Sequence, residues 1–279
     1  MFTYMTLASG SGGNASLVSC GDTHVLLDAG VSARRITAGL RAAGVEPGCL
    51  SAILVTHEHH DHICGLAVLT KSLRVPIVAS GPTCGELLRR VPFIEDLLQP
   101  QEPGTGLSIG ELWVESFSTP HDAAGSVGYS IAEAGCRAVL CTDLGYVTPE
   151  VRRAAEGCDL LVCETNHDED WVRSSSYPYS LKQRILGDYG HLSNEAGAEL
   201  AAWAAETGTR TIVLAHLSQQ NNTPARAREA VSLRLRRGGV DPERDLSLTV
   251  APRNEPGPSF RLERGRDTLA FRMRGAALC

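Results

Sequence analysis

The chain has 279 residues, 43% of them hydrophobic and 21% charged, and a formal net charge of -6 at pH 7. That length is enough to bury one large core, and the composition is that of an ordinary globular α/β domain. The negative balance excludes a protein that coats nucleic acid by bulk electrostatics while leaving room for a local basic groove, and no apolar run reaches the ~18 residues of a membrane span.

In chain order the first elements read as strands: TYMTL, then ASLVS, then HVLLDAG. The Gly/Ser loop between the first two, with Ser9, Ser11, Gly12 and Asn14, reads as a tight turn, with a phosphate nest as the other reading. Ser32 caps a helix that runs to about Leu40, and LSAILVT is a β-branched apolar run ending at His57. A helix from Gly65 to Leu73, the strand VPIVAS and a helix from Pro82 to about Arg90 follow. After the loop PQEPGTG come three strands, ELWVESFST, SVGYSIAEA and RAVLCTD. The second half alternates: a helix from Pro149, the strand DLLVCE, helices at Ser180–Leu186 and Asn194–Glu206, the strand TIVLA, a helix from Pro224 to Arg237, and LSLTVA. Two β-rich halves, each flanked by helices, predict an α/β fold of the αββα sandwich type, with two mixed sheets between helical layers. The N-terminus lacks the basic and apolar regions of a signal peptide, which makes a cytoplasmic location the expectation. Nine scattered cysteines with no Cys-x-x-Cys pair read as reduced, mostly buried thiols.

The densest chemistry is THEHHDH, residues 56–62, with four histidines and two carboxylates in seven positions. His57 and His59 are two apart, on one side of an extended backbone, so both imidazoles can face one ion, while Asp61 and His62 can turn toward a second. His60 points away. Imidazole and carboxylate together suit zinc, manganese or iron, and two ions about 3.5–4 Å apart form a clamp for phosphoester hydrolysis. The helical His-Glu-x-x-His zinc motif is rejected, because position 61 is Asp and a strand precedes it. Four further candidates stand where a strand stops: His121 after ESFSTP, Asp143 after AVLCT, Glu164 after LLVC and His216 after TIVLA. Strand ends on one edge of a sandwich converge on one cleft. His24, inside a strand and without ligand partners, reads as structural.

His-x-His-x-Asp-His after an apolar strand, followed by His, Asp and His at later strand ends, resembles the metallo-β-lactamase fold superfamily from about Thr3 to Pro252. The resemblance implies one ion on His57, His59 and His121 and a second on Asp61, His62 and His216. It implies Asp143 and a nucleophilic hydroxide bridging the two. Asp28 in LLDAG matches an early Asp that orients the metal-binding loop. Two divalent ions are therefore expected, manganese or zinc, with iron as an alternative. A hydrolase domain is expected over residues 1–263, with a tail at 264–279 to which no role is assigned.

The stretch CETNHDEDWVRSSSYPYSLKQRILGDYGHLSNEAGAEL, with TDLGYV and AHLSQQNN, resembles the WalJ/YycJ branch of that superfamily. This implies a manganese-dependent DNA exonuclease working 5′ to 3′, with nucleic acid as the partner and DNA favoured over RNA. A looser similarity to ribonuclease Z makes Glu164 and His191 an acid dyad, and His167 is the rival proton donor. With Asp61 these are the candidate catalytic residues. Arg173, Lys182 and Arg184 are candidate nucleic-acid contacts, whereas PARAREAVSLRLRR reads as a solvated helix face. Two alternatives stay open. Ser193 or Asn194 caps the next helix with His191 a mere surface residue, or the same two metals serve a glyoxalase II-like thioesterase or lactone hydrolase.

Overall fold

The computed structural model describes residues 1–263 and the backbone of 270–271. The first sheet starts with β1 (Phe2–Ala8), β2 (Ala15–Cys20), β3 (Thr23–Leu27), β4 (Ala52–Leu54), β5 (Ile77–Ala79) and β6 (Leu98–Pro100). The second holds β7 (Gly106–Ile109), β8 (Leu112–Ser118), β9 (Val127–Glu133), β10 (Cys136–Cys141), β11 (Leu160–Glu164), β12 (Thr211–Ala215) and β13 (Ser247–Val250). The chain then returns to the first sheet with β14 (Ser259–Leu262) and β15 (Ala270–Phe271). The orders are β15-β14-β1-β2-β3-β4-β5-β6 and β13-β12-β11-β10-β9-β8-β7. Each sheet is antiparallel in one half and parallel in the other: β3 to β6 run parallel, as do β10 to β13.

The nine helices that flank these sheets among the described residues are α1 (Ala33–Ala42), α2 (His60–Ile63), α3 (Leu66–Leu69), α4 (Gly81–Arg90), α5 (Pro149–Ala155), α6 (Glu169–Ser174), α7 (Tyr179–Leu186), α8 (Asn194–Glu206) and α9 (Pro224–Arg237). Strand alternation builds three apolar layers. In β3, Val25 and Leu27 enter the layer between the sheets with Tyr129, Leu140 and Val162. Leu26 turns outward to pack with Ile36 and Leu40 of α1 and Leu87 of α4. In β12, Val213 faces the other sheet while Ile212 and Leu214 meet α8 and α9 through Ala201, Val231 and Leu235. TIVLA is thus apolar at every position because both faces are covered, the mark of a central parallel strand. This is the expected αββα sandwich. The helix expected over Gly65–Leu73 exists only as α3, preceded by α2, because Gly65 lies where a Cβ would meet Val31 O at 2.2 Å and holds the chain against the loop after β3.

The parallel halves aim the C-terminal ends of β3, β4, β10, β11 and β12 at one edge of the sandwich. Just past them, Asp28, Asp143 and His216 adopt φ of 57°, 62° and 57°, and among the described residues Ala134, in a turn, is the other non-glycine residue with positive φ. Left-handed backbone at such side chains costs free energy and persists where function holds it. Among the described residues no helix is long and apolar enough to cross a membrane. Six of the cysteines, at 20, 84, 136, 141, 158 and 163, are buried, whereas Cys49 and Cys64 are exposed. Apart from β15, the tail set off at 264–279 lies outside the described residues.

Candidate metal centre

His57 and His59 follow β4, and His121 follows β8, each on a short loop. His59 Nδ1 lies 3.1 Å from His57 Nε2 and 3.2 Å from His121 Nε2. The Thr56 hydroxyl donates to the Asp28 carboxylate at 3.0 Å, so its lone pair accepts from the His57 Nδ1–H at 3.1 Å. His121 Nδ1–H donates to Gly190 O at 3.1 Å. Both rings therefore present a lone pair inward, toward a third ring nitrogen. No single proton satisfies three such atoms, but a cation does, and a tetrahedral ion with Zn–N bonds of about 2.0–2.1 Å has edges near 3.3–3.4 Å. Burial and the neighbouring imidazoles of His62, His121 and His59 hold His57 well below the ordinary histidine range. His121 is also lowered, by burial working against Asp143. Neutral imidazole is the form that ligates.

The other half of the cluster is anionic. His62 Nδ1–H donates to Asp28 Oδ2 at 2.7 Å, leaving Nε2 3.3 Å from Asp143 Oδ2 and 3.6 Å from Asp61 Oδ2. His216 Nδ1–H donates to Glu164 Oε1 at 2.9 Å, and its Nε2 sits 3.3 Å from Asp61 Oδ2 and 3.4 Å from Asp143 Oδ1. Burial works against charge on His62, but Asp143, Asp28 and Asp61 outweigh it and raise the ring to about 9. Burial is likewise outweighed at His216, chiefly by Asp143. Since each Nδ1 already donates outward, the added proton sits on Nε2, facing the carboxylates where a cation would lie. Asp143 Oδ2 is buried and receives no hydrogen bond. Orphaned oxygen, inward lone pairs and proton-demanding rings all fit a divalent ion. Because the carboxylates raise both His62, to about 9, and His216, metal uptake near neutral pH should displace protons, and affinity should rise with pH. Calorimetric titration in two buffers of different ionisation enthalpy should show the release, and a buffer-independent heat would contradict it.

Glu164 is fully buried at the end of β11 and does more than the sequence indicates. Its Oε1 accepts from His216 Nδ1 and from His191 Nδ1, both at 2.9 Å, while Oε2 accepts from the amides of Leu144 and Leu192 at 3.0 and 3.2 Å. Burial would raise this carboxyl, but His191 and His216 hold it well below the usual range. His191 stands beside the cluster, its ring 5.1 Å from that of His121 and 5.2 Å from that of His216, with its side chain 19% exposed. Ser193 caps α8 by accepting from Ala196 N at 3.2 Å, so the cap and the dyad geometry coexist. His167, in contrast, is buried with an unpartnered Nδ1, and burial lowers it to about 4.

Some supports had only weak signals in sequence. The Gly/Ser loop is a turn, with Gly13 N donating to Gly10 O at 2.9 Å and Gly10 N to Asn14 Oδ1 at 2.9 Å. It also braces the site: Asn14 Nδ2 donates to Asp61 O at 3.3 Å, and Ser9 Oγ accepts from His216 N at 2.9 Å. Asn166 Nδ2 donates to His216 O at 2.8 Å. Gly30 lets the loop after β3 pass beneath Asp61, since a Cβ there would fall 1.7 Å from Asp61 O. His60 is exposed, and His24 is tied to Ser19 Oγ at 2.8 Å within the first sheet. The proposed nucleic-acid contacts are engaged within the chain: Arg184 clamps Asp122, Arg173 pairs with Glu169 at 3.1 Å, and Lys182 donates to Arg173 O at 2.7 Å.

Residues 23–217 match the family described as a β-lactamase superfamily domain, a span that contains every imidazole and carboxylate of this cluster. Exodeoxyribonuclease WalJ of Streptococcus pneumoniae (strain D39) is 38% identical over 225 residues, 79% of this chain and 83% of that protein. Exodeoxyribonuclease YycJ of Bacillus anthracis is 37% identical over 232 residues, 82% of this chain and 87% of that protein. Ribonuclease Z of Bradyrhizobium sp. (strain ORS 278) is more distant, 26% identical over 266 residues covering 72% of this chain and 82% of its own. The crystal structure of the metallo-β-lactamase fold protein YhfI from Bacillus subtilis superposes with a TM-score of 0.67 at 16% identity, over 92% of this chain and 98% of that one. The chain belongs to the metallo-β-lactamase fold superfamily and, within it, to the WalJ/YycJ family. It is a hydrolase with a site suited to divalent metal.

Proposed function

We propose that the chain is a phosphodiesterase acting on nucleic acid, a DNA exonuclease cutting 5′ to 3′ in the cytoplasm, with residues 1–263 as its hydrolase domain. Its relatives named exodeoxyribonuclease support the substrate class. The observation that carries the reading is His191, held by Glu164 through Nδ1 at the edge of the metal cluster with its side chain partly exposed. An alkoxide leaving a phosphodiester is a strong base and needs a proton, whereas the thiolate leaving a thioester needs none. A built proton donor therefore favours the diester over the glyoxalase II-like alternative.

His57, His59 and His121 would hold one ion and Asp61, His62 and His216 a second, with Asp143 as a further ligand. Manganese or zinc suits these donors, and iron remains compatible. When bound, the ions supply an activated water and neutralise the phosphate oxygens. His57, His59, His121, His62 and His216 offer ring nitrogens oriented by their outward hydrogen bonds, and Asp28 and Glu164 anchor His62 and His216. His191 Nε2–H passes its proton to the leaving oxygen, and Glu164 Oε1 steadies the ring through Nδ1–H. His167 is not assigned that step, because it is buried and burial lowers it to about 4, which disfavours the imidazolium form a general acid needs.

Digestion of end-labelled single- and double-stranded DNA and RNA with added manganese, magnesium or zinc, beside a glutathione thioester, tests the reading. DNA should be shortened from its 5′ end orders of magnitude faster than the thioester is hydrolysed. Rapid thioester hydrolysis with inert DNA would transfer the site to the alternative.

A further inference from the structure

Arg184, near His121, is held by the carboxylate of Asp122, whereas Arg35 and Arg253 are held by backbone carbonyls. Arg35 sits in the first turn of α1, whose start packs on Gly65, three residues past His62. Its Nη2 donates to the carbonyl of Arg253 at 3.2 Å. Arg253 Nη2 in turn donates to Ser218 O at 3.3 Å, two residues past His216. Its Nε lies 3.6 Å from where a Cβ on Gly10 would be, over the same loop whose Asn14 donates to Asp61 O at 3.3 Å and whose Ser9 accepts from His216 N. Arg35 is exposed and Arg253 half-buried, and among the described residues neither enters an ion pair. Two guanidiniums are thus anchored by backbone carbonyls, one of them on Ser218 O, two residues past His216, and neither is in an ion pair among the described residues.

We propose that Arg35 and Arg253 form a phosphate-binding subsite that seats the backbone of a nucleic-acid strand, one or more nucleotides from the scissile bond, on the Asp61–His216 side of the cleft. This rests on the nucleic-acid reading above and deepens it. The physical case is charge complementarity in a chain that is otherwise acidic: a polyanion meets net repulsion from most of the surface and attraction at this mouth. Guanidinium is the group whose planar fork matches phosphate oxygens. Carbonyl anchoring limits the rotamer freedom lost on binding.

The test is binding of a fluorescent phosphorothioate single-stranded oligonucleotide to the manganese-loaded full chain across a salt series, with Arg35→Ala, Arg253→Ala and the double variant. Each single variant should weaken binding by roughly 10-fold or more, as expected for a lost charge-assisted hydrogen bond. The double variant should flatten the slope of log affinity against log salt by about 1.4 for a single strand. Arg253→Lys should recover part of the loss, and Arg237→Ala, which removes the same charge from α9, should leave binding unchanged. In cleavage, KM for DNA should rise, while hydrolysis of bis-p-nitrophenyl phosphate, which has no second phosphate, should fall far less. Parental affinity and slope in the double variant would overturn the subsite. So would equal losses on both substrates with a lowered Tm, which would make the arginines structural. If the parent chain leaves DNA uncut, the nucleic-acid reading fails. If the parent cuts DNA and the arginine variants match it, the subsite alone fails.

Discussion

His191→Ala should leave both ions in place and slow DNA cleavage by roughly 10²–10⁴-fold, the span associated with a lost general acid. His191 Nδ1 lies 2.9 Å from Glu164 Oε1 and 3.6 Å from Asp143 Oδ1, close enough to join a metal-holding group, but both proposed ions are assigned to other residues. The loss should shrink for a p-nitrophenyl phosphodiester, because a phenolate of low basicity departs without a proton. Steady-state rates on both substrates, with metal content by elemental analysis, check the outcome. Equal slowing on the two substrates would make His191 a phosphate contact or a structural group. Glu164→Gln should be more damaging than a partner of His191 alone would suggest. One oxygen serves both His191 and His216, and an amide that turns its NH₂ to the fork meets two ring N–H groups. Metal content should fall along with the rate.

The second large effect is expected at Asp143. Asparagine tolerates the left-handed backbone found there, φ 62°, as well as aspartate does, so Asp143→Asn removes the charge with little backbone penalty. That charge faces His62 Nε2 at 3.3 Å and His216 Nε2 at 3.4 Å. Removing it should weaken both ions, by more than the roughly 10–100-fold that loss of an outer partner costs. By contrast, Asp61→Ala or His62→Ala should remove mainly the ion assigned to Asp61, His62 and His216, leaving about one equivalent on the untouched imidazoles. Elemental analysis after gel filtration separates the patterns, and two full equivalents in all three variants would refute the ligand assignment.

The cluster at His57–His62 was legible because its spacing is local and because every later candidate stands at the end of an apolar strand. Strand periodicity showed both sheets and their helical covers for the same reason: alternation at Val25, Leu26 and Leu27 is a short-range signal. What stayed hidden depends on pairs distant in sequence. SFRL carries little strand signal, yet β14 pairs antiparallel with β1, Phe2 opposite Leu262 and Met5 opposite Ser259. The Glu164 fork joins residues 27 and 52 positions away, and no local pattern encodes the second partner. Arg184 looked free to meet a polyanion, but Asp122, 62 residues upstream, holds it. Arg35 and Arg253 carry no motif at all, and only the fold, across 218 residues, brings them to one rim.

The most direct test of the account is an anomalous-scattering crystal structure of the manganese-loaded chain. Two peaks are predicted, one among His57 Nε2, His59 Nδ1 and His121 Nε2 and one among Asp61, His62 Nε2 and His216 Nε2, with Asp143 touching both and His191 ligating neither. A single peak, or a peak bound by His191 or Glu164, would contradict the two-ion site and the role given to the dyad.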